Sequence, residues 1–159
     1  MSEIKEIFKE LKNVHDGNAW HGASLRDALN DIVYEQAAAH PLMNAHSIWE
    51  IVAHIRGWED VFRRRLEGQQ SIEPEAEDFP VPAEQNAAAW TETLRKLENT
   101  HRKLLVTVEK LSESVLDTTI AGKDYSYRFL LRKTIDHKVY HSGQIALLRK
   151  FFMKNEENK

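Results

Sequence analysis

The stretch FLLRKTIDHKVYHSGQIALLRK, Phe129 to Lys150, decides the fold class. Its inward positions run Leu130, Thr134, His137, His141, Ile145 and Leu148, continuing to Phe152. Every step is three or four residues, so these side chains share one face of an α-helix. Two histidines interrupt an otherwise mostly apolar stripe. They stand one turn apart, where side chains project side by side. Two imidazoles so placed can grip one metal ion between them, which is why helical zinc motifs use this spacing. Taken alone, the pair reads more readily as two half-buried histidines hydrogen-bonded to neighbours, because H-x-x-x-H arises by chance in many helices.

Composition narrows what the rest of the chain can be. At 159 residues it is long enough for one domain with a real core and short for two, so a single domain over residues 1–159 is expected. Charged residues make up 30%, and the net charge of −3 comes from both signs interspersed. No basic field points to nucleic acid, and no basic amphipathic helix points to a membrane surface. There is no cysteine. Disulfides, a thiolate nucleophile and cysteine metal ligands are excluded, so any metal must be held by nitrogen and oxygen. The start, MSEIKEIFKELKN, reads as a charged amphipathic helix rather than a signal peptide. No apolar run approaches the roughly 18 residues of a membrane span. A cytoplasmic protein is expected.

Outward from the opening stretch, three more long helices are legible. The first covers about residues 2–14, with Ile4, Ile7, Phe8 and Leu11 on one face, and ends at the turn signal Asp16-Gly17-Asn18. The second begins at a capping box, Ser47-Ile48-Trp49-Glu50, and runs to about Glu67, with Gly68 as its stop. Arg63, Arg64 and Arg65 in its last turns read as a solvated surface. The third spans about Ala83 to Leu111 and turns Trp90, Leu94, Leu97, His101, Leu104, Leu105 and Val108 inward. The opening helix itself runs from about Ser126 to Met153, followed by a frayed tail, NEENK. Between the first and second helices lies a long connection that holds a short helix capped by Ser24 through Leu29 and another over Glu35 to Ala39. Residues 69–82 form an acid- and proline-rich loop, and residues 112–125 a second connection turning at Gly122. The expected fold is all-α, a four-helix bundle. Its long first connection can cross the bundle, so simple up-down order is not required.

Bundles build metal sites from inward side chains on facing helices. The opening helix offers His137 and His141, and the second helix offers His54 amid apolar neighbours. Three histidines converging from two helices would leave a coordination position open, but convergence is not visible in a sequence. Two blocks bear on it: AHSIWEIVAHI (Ala45 to Ile55) and HKVYHSGQIALLRK (His137 to Lys150). Together with AWHGASLRDAL (Ala19 to Leu29), they resemble the signature segments of the DinB superfamily, which includes the YfiT-like proteins. The resemblance spans most of the chain and is least distinctive in the third helix. It implies a four-helix bundle, often a homodimer, carrying a divalent metal on His54, His137 and His141.

The same resemblance implies chemistry. Some members use a low-molecular-weight thiol, as S-transferases or thiol-dependent isomerases, and others are described as metal-dependent hydrolases. The expected function is therefore a divalent-metal-dependent enzyme that activates water or a small-molecule thiol, of hydrolase or thiol S-transferase type. The other class is a non-catalytic metal-binding stress-response or scaffold protein. Imidazole ligands suit zinc, nickel, iron and copper alike; the expected ion is zinc or nickel, with iron or manganese as the alternatives. The thiol would have to come from a cosubstrate. The partner is a small-molecule substrate.

Three residues are candidates for a catalytic part. Gln144, just under a turn past His141, can orient a ligand ring or be a buried amide satisfied by backbone. Glu50 can serve as a base, although its capping role is favoured. His21, in the long connection, can reach the pocket mouth or sit in a turn. Trp49 and Trp58 read first as core packing. His46 precedes a cap, and His15, His40 and His101 read as structural or exposed. Tyr140 is expected to pack on a neighbouring helix or a dimer partner.

Overall fold

A computed structural model describes residues 2–70 and 77–156. The middle of the expected 69–82 loop and the last three residues of the expected tail lie outside them. The elements are α1 (Glu3–Asp16), α2 (Leu25–Leu29), α3 (Tyr34–Ala38), α4 (Ile48–Leu66), α5 (Ala87–Glu109), a 3₁₀ turn (Glu113–Val115) and α6 (Tyr127–Glu156). The described residues contain no β-strand, and none of their helices is long and apolar enough to cross a membrane.

Local chemistry sets the helix ends. At the start of α4, Ser47 Oγ accepts from the Glu50 amide at 3.2 Å and Glu50 Oε2 accepts from the Ser47 amide at 2.7 Å, so both halves of the capping box form. At its other end Gly68 adopts φ +83°, which frees its own amide for Arg65 O and the Gln69 amide for Arg64 O, both at 3.0 Å. This pair of bonds satisfies carbonyls that the last turn would otherwise leave open. Ser24 and Asp27 form a second capping box on α2. The expected Ala83 start of the third helix moves to Ala87, because Asn86 Oδ1 accepts from the Ala89 amide at 2.8 Å and Asn86 becomes the cap. Ser47→Ala is expected to cost about 1 kcal/mol, seen as a lower denaturant midpoint with an unchanged slope; an unchanged midpoint would mean that Glu50 alone holds the end.

α1 packs on α5 and α6, and α4 also packs on α5 and α6. Around the bundle the order is thus α1, α6, α4, α5, with the consecutive helices α1 and α4 diagonal to each other. A diagonal step needs a crossing connection, and residues 17–47 supply it. The connection contributes to the core: Leu25, Ala28, Leu29, Ile32 and Ala37 are buried. Trp90 Nε1 fastens this segment to α5 by donating to Ile32 O at 2.8 Å.

The apolar interior falls into two clusters. One gathers Ile7, Leu11, Phe62, Leu104 and Leu131. The other gathers Leu25, Trp49, Ile55, Leu97 and Ile145. Along α4, α5 and α6 the two are separated by polar residues that are themselves buried: Glu59, Thr100, His101, Lys138, His141 and Ser142. A polar belt at mid-height therefore divides the core. α6 is buried over more than the expected stripe, taking in Leu131, Ile135, Lys138 and Ser142, because it packs against α1, α2 and α4 together. Arg65 departs from the expected solvated surface: it is buried, lies over the Trp58 ring and donates to Tyr125 Oη at 3.1 Å.

Candidate metal centre

The contact between α4 and α6 brings His54, His137 and His141 together. One ring nitrogen from each lies within 4.8 Å of the others. His54 Nε2 and His137 Nε2 are 2.9 Å apart. Two nitrogens that share a zinc-like ion at about 2.0–2.1 Å each can stand no further apart than about 4.2 Å, and this pair is well inside that limit.

Hydrogen bonds decide which nitrogen each ring presents. His54 Nδ1–H faces two acceptors, the Asp78 carbonyl at 2.7 Å and Asp78 Oδ1 at 3.1 Å. Its Nε2 therefore carries a lone pair toward His137. His141 Nδ1–H donates to Gln144 Oε1 at 2.6 Å, again leaving Nε2 free. Fixing one ring nitrogen so that the other presents its lone pair is how proteins orient imidazole ligands. Burial, reinforced by the two neighbouring imidazoles, holds the His137 ring down to about 4. Burial also lowers His141, against the pull of Gln144. Both rings are neutral at neutral pH, the form a cation requires.

Two contributors were not visible in the sequence. Asp78 and Phe79 come from the end of the acidic loop, 24 and 25 residues past His54. Phe79 stacks flat on His54 at 4.0 Å and on His46 at 3.7 Å. Trp58 Nε1 anchors Asp78 by donating to Oδ1 at 2.7 Å, and its ring lies 6.4 Å from both His54 and His137. Phe62 stands edge-on to His137 at 5.7 Å. Asp78 and Phe79 thus lie over the His54 ring of α4, and aromatic faces wall the three histidines. Trp58 belongs to this wall. Trp49 is core, with its Nε1 donating to Thr93 Oγ1 at 2.9 Å.

The other candidates separate. Gln144 is at the centre, and it also lines a recess of about 340 Å³ with Leu42, His46, Ile51, Leu147 and Leu148. The hydrogen bonds of Glu50 go to the Ser47 cap and, at 2.7 Å, to His40. His21 is exposed in a groove formed with α1 and Val139, which none of the three histidines lines. Tyr140 is 64% exposed and meets His141 edge-on at 5.0 Å rather than packing on a neighbouring helix.

A helical bundle with histidines from two facing helices on one centre defines the class. The sequence profile of the DinB superfamily matches residues 19–145, and the chain belongs to that superfamily. Neither a curated protein nor a solved structure matches the chain.

His15 and His101, expected to be structural or exposed, are both buried in a second cluster. Lys138 Nζ lies 2.5 Å from Glu59 Oε1, 2.9 Å from His15 Nδ1 and 2.8 Å from His101 Nδ1. The His15 and His101 rings stack 3.7 Å apart. His15 Nε2 reaches Glu98 Oε1 at 2.9 Å, and Glu98 is tied to Arg26. Burial, with the Lys138 charge adding to it, holds His101 down to about 4, and burial lowers His15 as well. Unfolded, both rings would titrate near 6.5. Between about 6.5 and 4 the unfolded chain therefore binds a proton at His101 that the folded chain refuses, and His15 acts in the same direction. The stability these rings support is complete above 6.5 and lost as pH falls toward 4. In chelator, the denaturant midpoint is expected to drop steadily over that interval; a flat profile would mean that the folded chain takes up these protons as readily as the unfolded one.

Proposed function

We propose that the protein is a divalent-metal-dependent enzyme whose ion is held by His54, His137 and His141, and that it activates water or a low-molecular-weight thiol. The observation that carries this reading is the convergence of three imidazoles, two of them pinned at Nδ1. Three protein ligands leave a coordination position for a reactant, the pattern of catalytic rather than closed structural sites. A bound divalent ion would supply Lewis acidity to that water or thiol. The chain's own part is orientation and exclusion. The Asp78 carbonyl and Gln144 hold two rings in register, and Phe79, Trp58 and Phe62 keep bulk water from their faces. The recess beside Gln144 suits the apolar part of an acceptor. With no cysteine in the 159 residues, a thiol reactant would be a cosubstrate.

The test uses cobalt-loaded protein titrated with azide and with small thiols. An open position predicts a change in the visible spectrum with either; an unchanged spectrum would assign the ion a structural role in a non-catalytic protein. In parallel, turnover is assayed with thiols plus a chlorinated acceptor and with ester and amide substrates. Metal-dependent turnover in one set is expected and selects transfer or hydrolysis; none in either set counts against the enzyme reading.

A further inference from the structure

The second cluster draws one residue from each long helix: His15 from α1, Glu59 from α4, His101 from α5 and Lys138 from α6. His15, Glu59 and His101 have the donor set and proximity of a metal site, with one ligand atom from each within 4.8 Å of the others. What stands among those atoms is Lys138 Nζ, 2.5–2.9 Å from all three. An ammonium has three N–H donors and no acceptor. The three acceptors here match it one for one.

The His15 tautomer agrees with this. For His15, Nε2–H donates to Glu98, so Nδ1 is the acceptor. His101 Nδ1 lies 2.8 Å from Lys138 Nζ and 3.1 Å from Glu59 Oε1; as the acceptor from the ammonium it places the ring proton on Nε2, which is buried with no hydrogen-bond partner among the described residues. The Glu59 and Lys138 charges cancel, and both side chains are almost wholly buried. A divalent ion needs the same lone pairs at about 2.0–2.2 Å, hence the volume that Nζ fills. It would also add uncompensated charge between two apolar clusters.

We propose that this cluster is a cation site whose cation is built in: the Lys138 ammonium stands where a divalent metal would bind His15, Glu59 and His101. The native chain therefore takes no metal there, and shortening Lys138 opens a divalent-cation site with two nitrogen ligands and a carboxylate. Spare donors for such an ion are at hand. Glu59 Oε2 and Ser142 Oγ are buried with no hydrogen-bond partner among the described residues, and Ser142 follows Lys138 by one turn of α6.

Elemental analysis after zinc loading and dialysis tests both halves. His137→Ala/His141→Ala, with Lys138 intact, is expected to retain no stoichiometric zinc. An ion that it retains and that His15→Ala then removes overturns the proposal. Lys138→Ala is expected to hold one more zinc per chain than the native protein, and to lose that extra ion when His101→Ala is added. The count is a difference between chains that share the three-histidine centre, so it stands whether or not that centre is loaded. Should Lys138→Ala be unfolded in chelator, zinc added during refolding is expected to restore its helical circular dichroism; failure to bind zinc or to be rescued by it overturns the proposal.

Discussion

His137→Ala is expected to abolish stoichiometric metal binding, measured by elemental analysis after dialysis beside the native protein. His137 Nε2 is the nitrogen that faces His54 Nε2 at 2.9 Å, so its loss removes one of three ligands and leaves two that cannot enclose an ion. The effect should exceed that of any supporting residue, and the supporting residues should form a series. Gln144→Ala removes the acceptor that fixes His141 and is expected to weaken metal affinity about 10–100-fold. Asp78→Ala should cost less, because the shorter of its two contacts to His54, at 2.7 Å, comes from the backbone carbonyl and survives the substitution. Its larger effect would be to free the loop from Trp58. Glu50→Gln should leave metal content unchanged, since its hydrogen bonds go to the α4 cap and to His40. Full metal occupancy in His137→Ala would remove the three-histidine centre from consideration.

The largest loss of stability is expected from Glu59→Gln. Glu59 and Lys138 face each other at 2.5 Å, with side chains 2% and 1% exposed. Neutralising the carboxylate strands an ammonium away from water, and breaking a buried pair this way costs about 3–5 kcal/mol. For a chain of this size that is a fall in melting temperature of roughly 6–20 °C. Removing both charges in Glu59→Leu/Lys138→Met should recover most of the loss, because the desolvation penalty disappears with the ions. Recovery should stop short of complete, since His15 Nδ1 and His101 Nδ1 would lose their donor. A double-mutant cycle by chemical denaturation measures each step. A cost below about 1 kcal/mol for Glu59→Gln would place the pair in the range of solvent-exposed ion pairs.

The two centres belong to one design of the interior. The polar belt lies between the apolar clusters, and Lys138 directly follows the candidate ligand His137 on α6. The helices that carry the three histidines are thus also cross-linked by Glu59 and Lys138. A buried ion pair is a poor source of net stability compared with apolar packing, but with His15 and His101 it ties four helices at the height where the three histidines meet. Register, more than energy, is what this arrangement supplies to the three histidines.

Much of this was legible in the sequence, and the reasons are local. The stripe from Leu130 to Phe152, the Ser47–Glu50 capping box and the stop at Gly68 are set by residues within a turn or two of one another, so helix identity and most helix ends follow from the chain itself. The i, i+4 spacing of His137 and His141 and the capped helix bearing His54 put these histidines forward, and only the resemblance of their segments to the DinB superfamily joined them as one candidate set. Long-range placement was decided by the tertiary structure alone. Asp78 and Phe79 reach His54 only because the loop folds back over α4. Lys138, a charged residue beside the expected stripe, turns inward because α6 has neighbours on more than one side. His15 and His101, 86 positions apart, stack in the core only because α1 and α5 are adjacent in the bundle. Helical periodicity reports which face of a helix is apolar. It does not report which helix that face meets, and both polar centres depend on that meeting.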